Sequence, residues 1–390
     1  MNAEPSPQAC PESRDAGERG PAILMIAASE ADANLYYATR FLAPDPFVFL
    51  EVDGRKLLVM SDLELDRAKA EARVDEVLLL SAYEAKARQR WATPHLIDIL
   101  GLVLDEHGVR DLLVPAGFAL EHADRLREKG YRVTWRPDPF FEARLIKSEE
   151  EVAAIEATQR ATERAVARAR EVLQASEIRG DALYWEGRVL TAETLRQVIH
   201  LALLEEDCLG QHTIVAPGVQ GCDPHHRGAG PIRPHESLVL DVFPRSSRTR
   251  YFADMTRTVV RGKASDGLRR MHEAVLAAQL QAIGLIADGV AGDEVHREVG
   301  AVLRRAGFET GMVEGRMQGF FHGTGHGLGL DIHEPPRIGK AKATLRAGQV
   351  VTVEPGLYYP RWGAVRIEDL VVVEAGGCRN LTRFPKTLEL

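Results

Sequence analysis

The 390-residue chain is long enough for two or three ordinary domains, each with its own core. A formal charge of -8, with no run of five basic residues, speaks against a nucleic-acid surface. Cys10, Cys208, Cys222 and Cys378 are scattered without a CxxC, which excludes a disulfide framework or zinc knuckle and fits a reducing cytoplasm.

Residues 1–20 carry almost no large apolar side chains and read as a disordered tail. The apolar run 21–28 is too short to span a membrane and follows acidic residues unlike those of a signal peptide, so it reads as a buried strand. Strands at 47–52 and 56–60 flank Asp53-Gly54, a hairpin signal. Further strands fall at 76–80 and 111–115, with a helix over 95–107 between them. Ser148 and Glu151 form a capping box that opens an Ala- and Arg-rich helix reaching about Leu173. The domain boundary is expected just before it, giving domains over 21–146 and 147–390. Helices follow at 191–206, 266–287 and 293–305, with strands at 212–216, 237–243, 251–260, 349–353 and 364–373. The pattern is α+β, a folded-over sheet with helices outside.

His322-Gly323-Thr324-Gly325-His326-Gly327-Leu328-Gly329 is too rich in glycine for a helix, each Gly costing about 1 kcal/mol relative to Ala. A strand or bulged turn keeps His322 and His326 on one face and lets other atoms approach the backbone. The alternative is a glycine-rich loop with exposed histidines.

Four acids sit within or beside apolar strands: Asp241, Asp254, Glu354 and Glu368. A turn at Pro244-Arg245-Ser246-Ser247 would make the first two strands a hairpin and set Asp241 beside Asp254. As unpaired buried ions each acid would cost several kcal/mol. Solvent-facing strand edges, or pairing to Arg257 and Arg366, would relieve one or two of them. Four together beside a glycine-framed histidine favour metal, since four carboxylates balance two divalent ions and a bridging hydroxide. Oxygen ligands with one imidazole point to Mn, Co, Fe or Zn. That is hydrolysis chemistry.

The phrases Ala253-Asp254-Met255-Thr256-Arg257-Thr258, Gly325-His326-Gly327-Leu328-Gly329, Val353-Glu354-Pro355-Gly356 and Arg366-Ile367-Glu368-Asp369 resemble the pita-bread metallopeptidases over about 150–385. That family holds methionine aminopeptidase, prolidase and aminopeptidase P. Asn34-Leu35-Tyr36-Tyr37 and the linker are similar to the creatinase/prolidase-type α/β N-terminal domain, which implies the proline-specific branch. The resemblance implies a curved, mostly antiparallel sheet with outer helices. It implies metal ligation by Asp241, Asp254, His326, Glu354 and Glu368, with Glu354 also accepting the proton of the attacking water. His322 and His333 would contact substrate and stabilise the tetrahedral intermediate, and Arg366 would orient Glu368 or support substrate. His225 matches the family's upstream histidine with a spacing to Asp241 one residue short. Two ions are implied, manganese foremost, with Co, Zn or Fe as alternatives.

Phe243 departs from the family's glycine two positions after the first Asp, and the Asp–Asp connection is longer than usual. His200, His212 and His226 read as surface or satisfied core, and Cys222 has no partner that marks a nucleophile. The expectation is hydrolysis of an Xaa-Pro peptide bond by a cytoplasmic homodimer that binds neither nucleic acid nor membrane. The alternatives are a small substrate, as for an ectoine hydrolase or a dimethylsulfoniopropionate lyase, and a non-enzymatic binding protein.

Overall fold

The computed structural model describes residues 20–390, so the expected tail (Gly20 apart) and Cys10 lie outside the described residues. Two compact units divide the chain, the first ending at Phe141 and the second spanning Glu142–Leu390.

In the first unit six strands make one mixed sheet, in the order Glu76–Leu79, Arg55–Met60, Phe47–Val52, Ala22–Ala27, Asp111–Pro115, Arg132–Arg136. The central hairpin closes at Asp53-Gly54 with φ of 50° and 79°. Two consecutive left-handed residues make the type I′ turn that matches strand twist. The helix Leu96–Glu106 starts at a capping box in which His95 accepts from Ile97 N–H and Asp98 accepts from His95 N–H. The edge strand Arg132–Arg136 was not expected. Its Trp135 is 65% exposed, so it lacks the apolar alternation that announces a half-buried strand.

In the second unit the capping box holds. Ser148 Oγ accepts from Glu151 N–H at 3.2 Å and the Glu151 carboxylate accepts from Ser148 N–H at 2.9 Å, opening a helix over Glu149–Ala175. This helix and Ala192–Leu204 pack on the antiparallel strands Ile214–Pro217, Leu238–Val242 and Met255–Val259. Helices Asp266–Leu285 and Gly292–Arg305 cover a second sheet that includes Gly325–Gly327, Val350–Val353 and Asp369–Glu374. Glu368 N–H, just before Asp369–Glu374 of the second sheet, donates to Thr256 O at 3.1 Å. Arg366 N–H, on a separate two-stranded sheet, donates to Thr258 Oγ1 at 3.0 Å, so both are tied to the first sheet.

Three expectations need correction. The strand expected over 251–260 begins only at Met255; the expected hairpin forms, Leu238–Val242 pairing antiparallel with Met255–Val259 and Asp241 standing opposite Thr256. Within its connection Arg245 bridges Phe252 and Ala253 N–H donates to Pro244 O at 3.1 Å, while Arg245–Ser246 also pairs with Cys208–Leu209. The strand expected over 364–373 is two strands, Gly363–Arg366 and Asp369–Glu374, in different sheets. His322 lies outside the short strand Gly325–Gly327, which bulges between His326 and Gly327.

Candidate metal centre

Strand alternation sorts the two faces of these sheets. Leu238, Leu240, Val242, Met255 and Val259 point into one helix-covered core, and Val351, Val353, Val365, Ile367, Val371 and Val373 into the other. Side chains of opposite parity must leave on the other face. These are Asp241, Thr256, Thr258, Thr352, Arg366 and, at the strand ends, Asp254, Glu354 and Glu368. The acids that looked misplaced in apolar strands therefore share one face and line one cavity of about 560 Å³.

The glycines around His326 are explained by close approach. A Cβ on Gly325 would lie 1.9 Å from Thr352 O, and one on Gly327 2.3 Å from Pro335 O. His326 N–H donates to Thr352 Oγ1 at 3.0 Å, and its Nδ1 meets Gly327 O at 3.1 Å. A carbonyl only accepts, so Nδ1 carries the proton and Nε2 keeps its lone pair. That lone pair faces Asp254 Oδ2 at 3.7 Å and Glu354 Oε1 at 3.5 Å. One ligand atom each from Asp254, His326 and Glu368 fall within 4.8 Å of one another.

Burial first, then Glu368, Asp241 and Glu354, hold Asp254 well above the ordinary carboxylate range. Glu368 is raised likewise, by burial and then by Glu354 and Asp241, and Glu354 is pushed up to about 7, chiefly by burial. His326 is pushed down to about 3 by burial and by His333, so its ring is neutral. Asp241 Oδ1 and Asp254 Oδ1 are buried without a hydrogen-bond donor. Crowded acids, orphaned oxygens and a lone pair among them form a set that a divalent cation satisfies and protons or arginine do not.

Arg366 Nη2 donates to Asp241 Oδ2 at 2.6 Å and Nη1 to the Tyr358 hydroxyl at 3.0 Å. Tyr358 lies 2.8 Å from His322 Nε2, while His322 Nδ1 lies 2.7 Å from Gly323 O. The carbonyl again places the proton on Nδ1, so Tyr358 donates to Nε2 and both ring nitrogens of His322 are engaged. His225, His322 and His333 all line the cavity. The His333 ring stands edge-on to His326, with centroids 4.5 Å apart. His200, His212 and His226 do not line it.

Sequence reasoning missed Tyr358 and Arg337. Tyr358 is fully buried and reads as ordinary core. Arg337, exposed on the strand Glu334–Ile338, lines the cavity, and among the described residues no carboxylate pairs with it.

The family model described as metallopeptidase family M24 matches residues 153–375. The chain belongs to metallopeptidase family M24. Membership implies a divalent metal cofactor, and the M24 segment contains the clustered Asp254, His326 and Glu368. Among curated proteins the chain is similar to an Xaa-Pro dipeptidase of Pyrococcus furiosus, 34% identical over 178 residues, or 45% of this chain and 48% of that protein. It is also similar to the probable dipeptidase PepE of Mycobacterium tuberculosis, 30% identical over 278 residues, or 70% of this chain and 68% of that protein. The chain spans about half the length of some of the curated relatives it matches. Among solved structures it is similar to an X-Pro aminopeptidase from Thermotoga maritima, 25% identical with a TM-score of 0.79, covering 95% of this chain and 97% of that one. The α+β fold, a pita-bread M24 domain after a creatinase/prolidase-type α/β domain, is the fold of these structures. No helix among the described residues is long and apolar enough to cross a membrane.

Proposed function

We propose that this M24 protein hydrolyses an Xaa-Pro peptide bond, with Asp241, Asp254, His326, Glu354 and Glu368 holding two divalent ions, manganese foremost. The observation that carries the reading is the convergence of these five side chains, from distant parts of the second unit, on one cavity wall. Bound ions would supply polarisation of the scissile carbonyl and a lowered pKa for the attacking water.

The rest falls to the chain's own groups. Glu354 lines the cavity and is the carboxylate that would take a proton from water and return it to the leaving amine. His225 and His333 face the cavity with no protein partner for their ring nitrogens among the described residues, so their N–H groups are available to a developing oxyanion. His322 has its proton committed to Gly323 O and acts through Tyr358 and Arg366. Arg337 offers a planar donor for a peptide carboxylate, which favours short substrates. The free thiols of Cys208, Cys222 and Cys378 support a reducing, cytoplasmic setting.

Phe243 lines the cavity two residues after Asp241 and narrows it on that side, which favours a second reading, a small amide or zwitterion. Purified protein with Mn, Co or Zn is assayed on Gly-Pro, Ala-Pro, a longer Xaa-Pro peptide and a panel of small amides. Cleavage of the dipeptides is expected to be fastest. Turnover of the small amides alone would replace the leading reading with the second, and no turnover with any metal would remove both.

A further inference from the structure

We infer that Glu334 is a positioning residue that holds the turn carrying Ile332 and His333 against the cavity. The inference rests on the peptidase reading for its kinetic consequence and on geometry alone for its structural one.

Gly329 to His333 form no strand; Gly329 is tied by backbone bonds to Phe252 and Asp331, and the amides of Leu330 and Asp331 are held by a side chain. Glu334 Oε1 accepts from Leu330 N–H at 3.1 Å and Asp331 N–H at 3.2 Å. The same oxygen accepts from Arg144 Nη2 at 2.5 Å, and Oε2 accepts from Lys147 Nζ at 2.9 Å. Arg144 also reaches Asp331 Oδ2 at 2.8 Å. Side chains of Arg144 and Lys147 are each 3% exposed and that of Glu334 is 4% exposed. Two cations and two backbone amides therefore converge on one carboxylate in the interior. Lys147 and Arg144 keep that carboxylate ionised, below its ordinary range despite burial.

Successive side chains of an extended segment leave on opposite sides. Glu334 points into this ion cluster, so His333 points away from it, into the cavity beside His326. A buried ion pair can be replaced by apolar residues at little cost to stability, so this one is weak evidence of a purely stabilising part. Its two bonds to the turn's amides give it a positional one.

The full chain is compared with Glu334→Gln and with Glu334→Asp, which keeps the charge that Arg144 and Lys147 require. Glu334→Gln is expected to speed amide hydrogen exchange at Leu330 and Asp331 at least tenfold, while Val350–Val353 stays protected. On Ala-Pro with manganese, KM is expected to rise about tenfold with a displaced pH profile, since misplacement of about 1 Å can cost a hundredfold. Bound manganese stays at the parent level, and Glu334→Asp recovers part of the loss. A merely structural part would lower the active fraction and leave KM, pH profile and local exchange unchanged, and that result overturns the inference. Should Glu334→Gln fail to fold, Glu334→Asp is read by the same three measures. An inactive parent chain would remove the peptidase reading, while the exchange measurement would still decide the positioning.

Discussion

Arg366 holds one carboxylate oxygen of Asp241 at 2.6 Å, and the other oxygen of that carboxylate is buried without a donor. The arginine thus neutralises part of the acid cluster while leaving Asp241 able to bind something else. Its guanidinium continues to Tyr358 and from there to His322, so the charge that steadies the acids also fixes a histidine lining the same cavity.

Arg366→Met should expose how much of this balance is electrostatic. Removing one partner of a buried ion pair costs about 3–5 kcal/mol. That loss is expected in urea unfolding of the metal-free protein and should shrink when manganese is present. An equal loss with and without metal would show that the cation does not share the load.

Asp254→Asn behaves in the opposite way. Asp254 is raised by burial and by Glu368, Asp241 and Glu354, so its charge is unfavourable in the metal-free fold. The variant should melt at or above the parent's temperature without metal, yet lose bound metal and turnover. Full activity in it would rule out the ligand assignment.

Metal binding should release protons. Burial pushes Glu354 up to about 7 from the ordinary 4.5, and Asp254 and Glu368 move in the same direction. A raised folded-state value means that the group's contribution to stability is complete below about pH 4.5 and is lost as pH rises through 7. Cations replace those protons, so titration of manganese at pH 6, in buffers of different ionisation heat, should show proton release whose Glu354 share falls as pH rises through 7. His326, neutral above about 3, contributes no proton there. Release that is independent of pH would contradict the coupling.

Tyr358→Phe removes the hydroxyl that accepts from Arg366 and donates to His322. It should cost about 1 kcal/mol of stability and about tenfold in kcat, with bound metal retained. Steady-state kinetics and metal analysis of the same preparation separate these effects.

Much of the site was legible before the fold. Asp241, Asp254, Glu354 and Glu368 stood out because a carboxylate amid valines needs a partner, and His326 because four nearby glycines need a reason. Arg337 and Tyr358 gave no such signal, since an arginine after Pro335-Pro336 and a tyrosine in a short strand are both commonplace. The expected hairpin between the strands of Asp241 and Asp254 formed, but the turn residues at Pro244 could not report the length of its connection or that Arg245–Ser246 also pairs with Cys208–Leu209.

Local chemistry and periodicity by themselves determined the Ser148–Glu151 capping box, the helices of the second unit, the Asp53-Gly54 turn and the identity of the acids, because these depend on neighbours within a few residues. The short helices Ala33–Thr39, Leu65–Glu71, Leu80–Arg88 and Leu120–Glu128 were not expected. Tertiary structure alone decided that Arg366 takes one oxygen of Asp241, that Tyr358 donates to His322 Nε2, and that Glu334 gathers Arg144 and Lys147. Those relationships join residues far apart in sequence (125 positions for the first and 190 for Arg144 with Glu334), and only packing of the sheets and their covering helices brings such groups within hydrogen-bond reach.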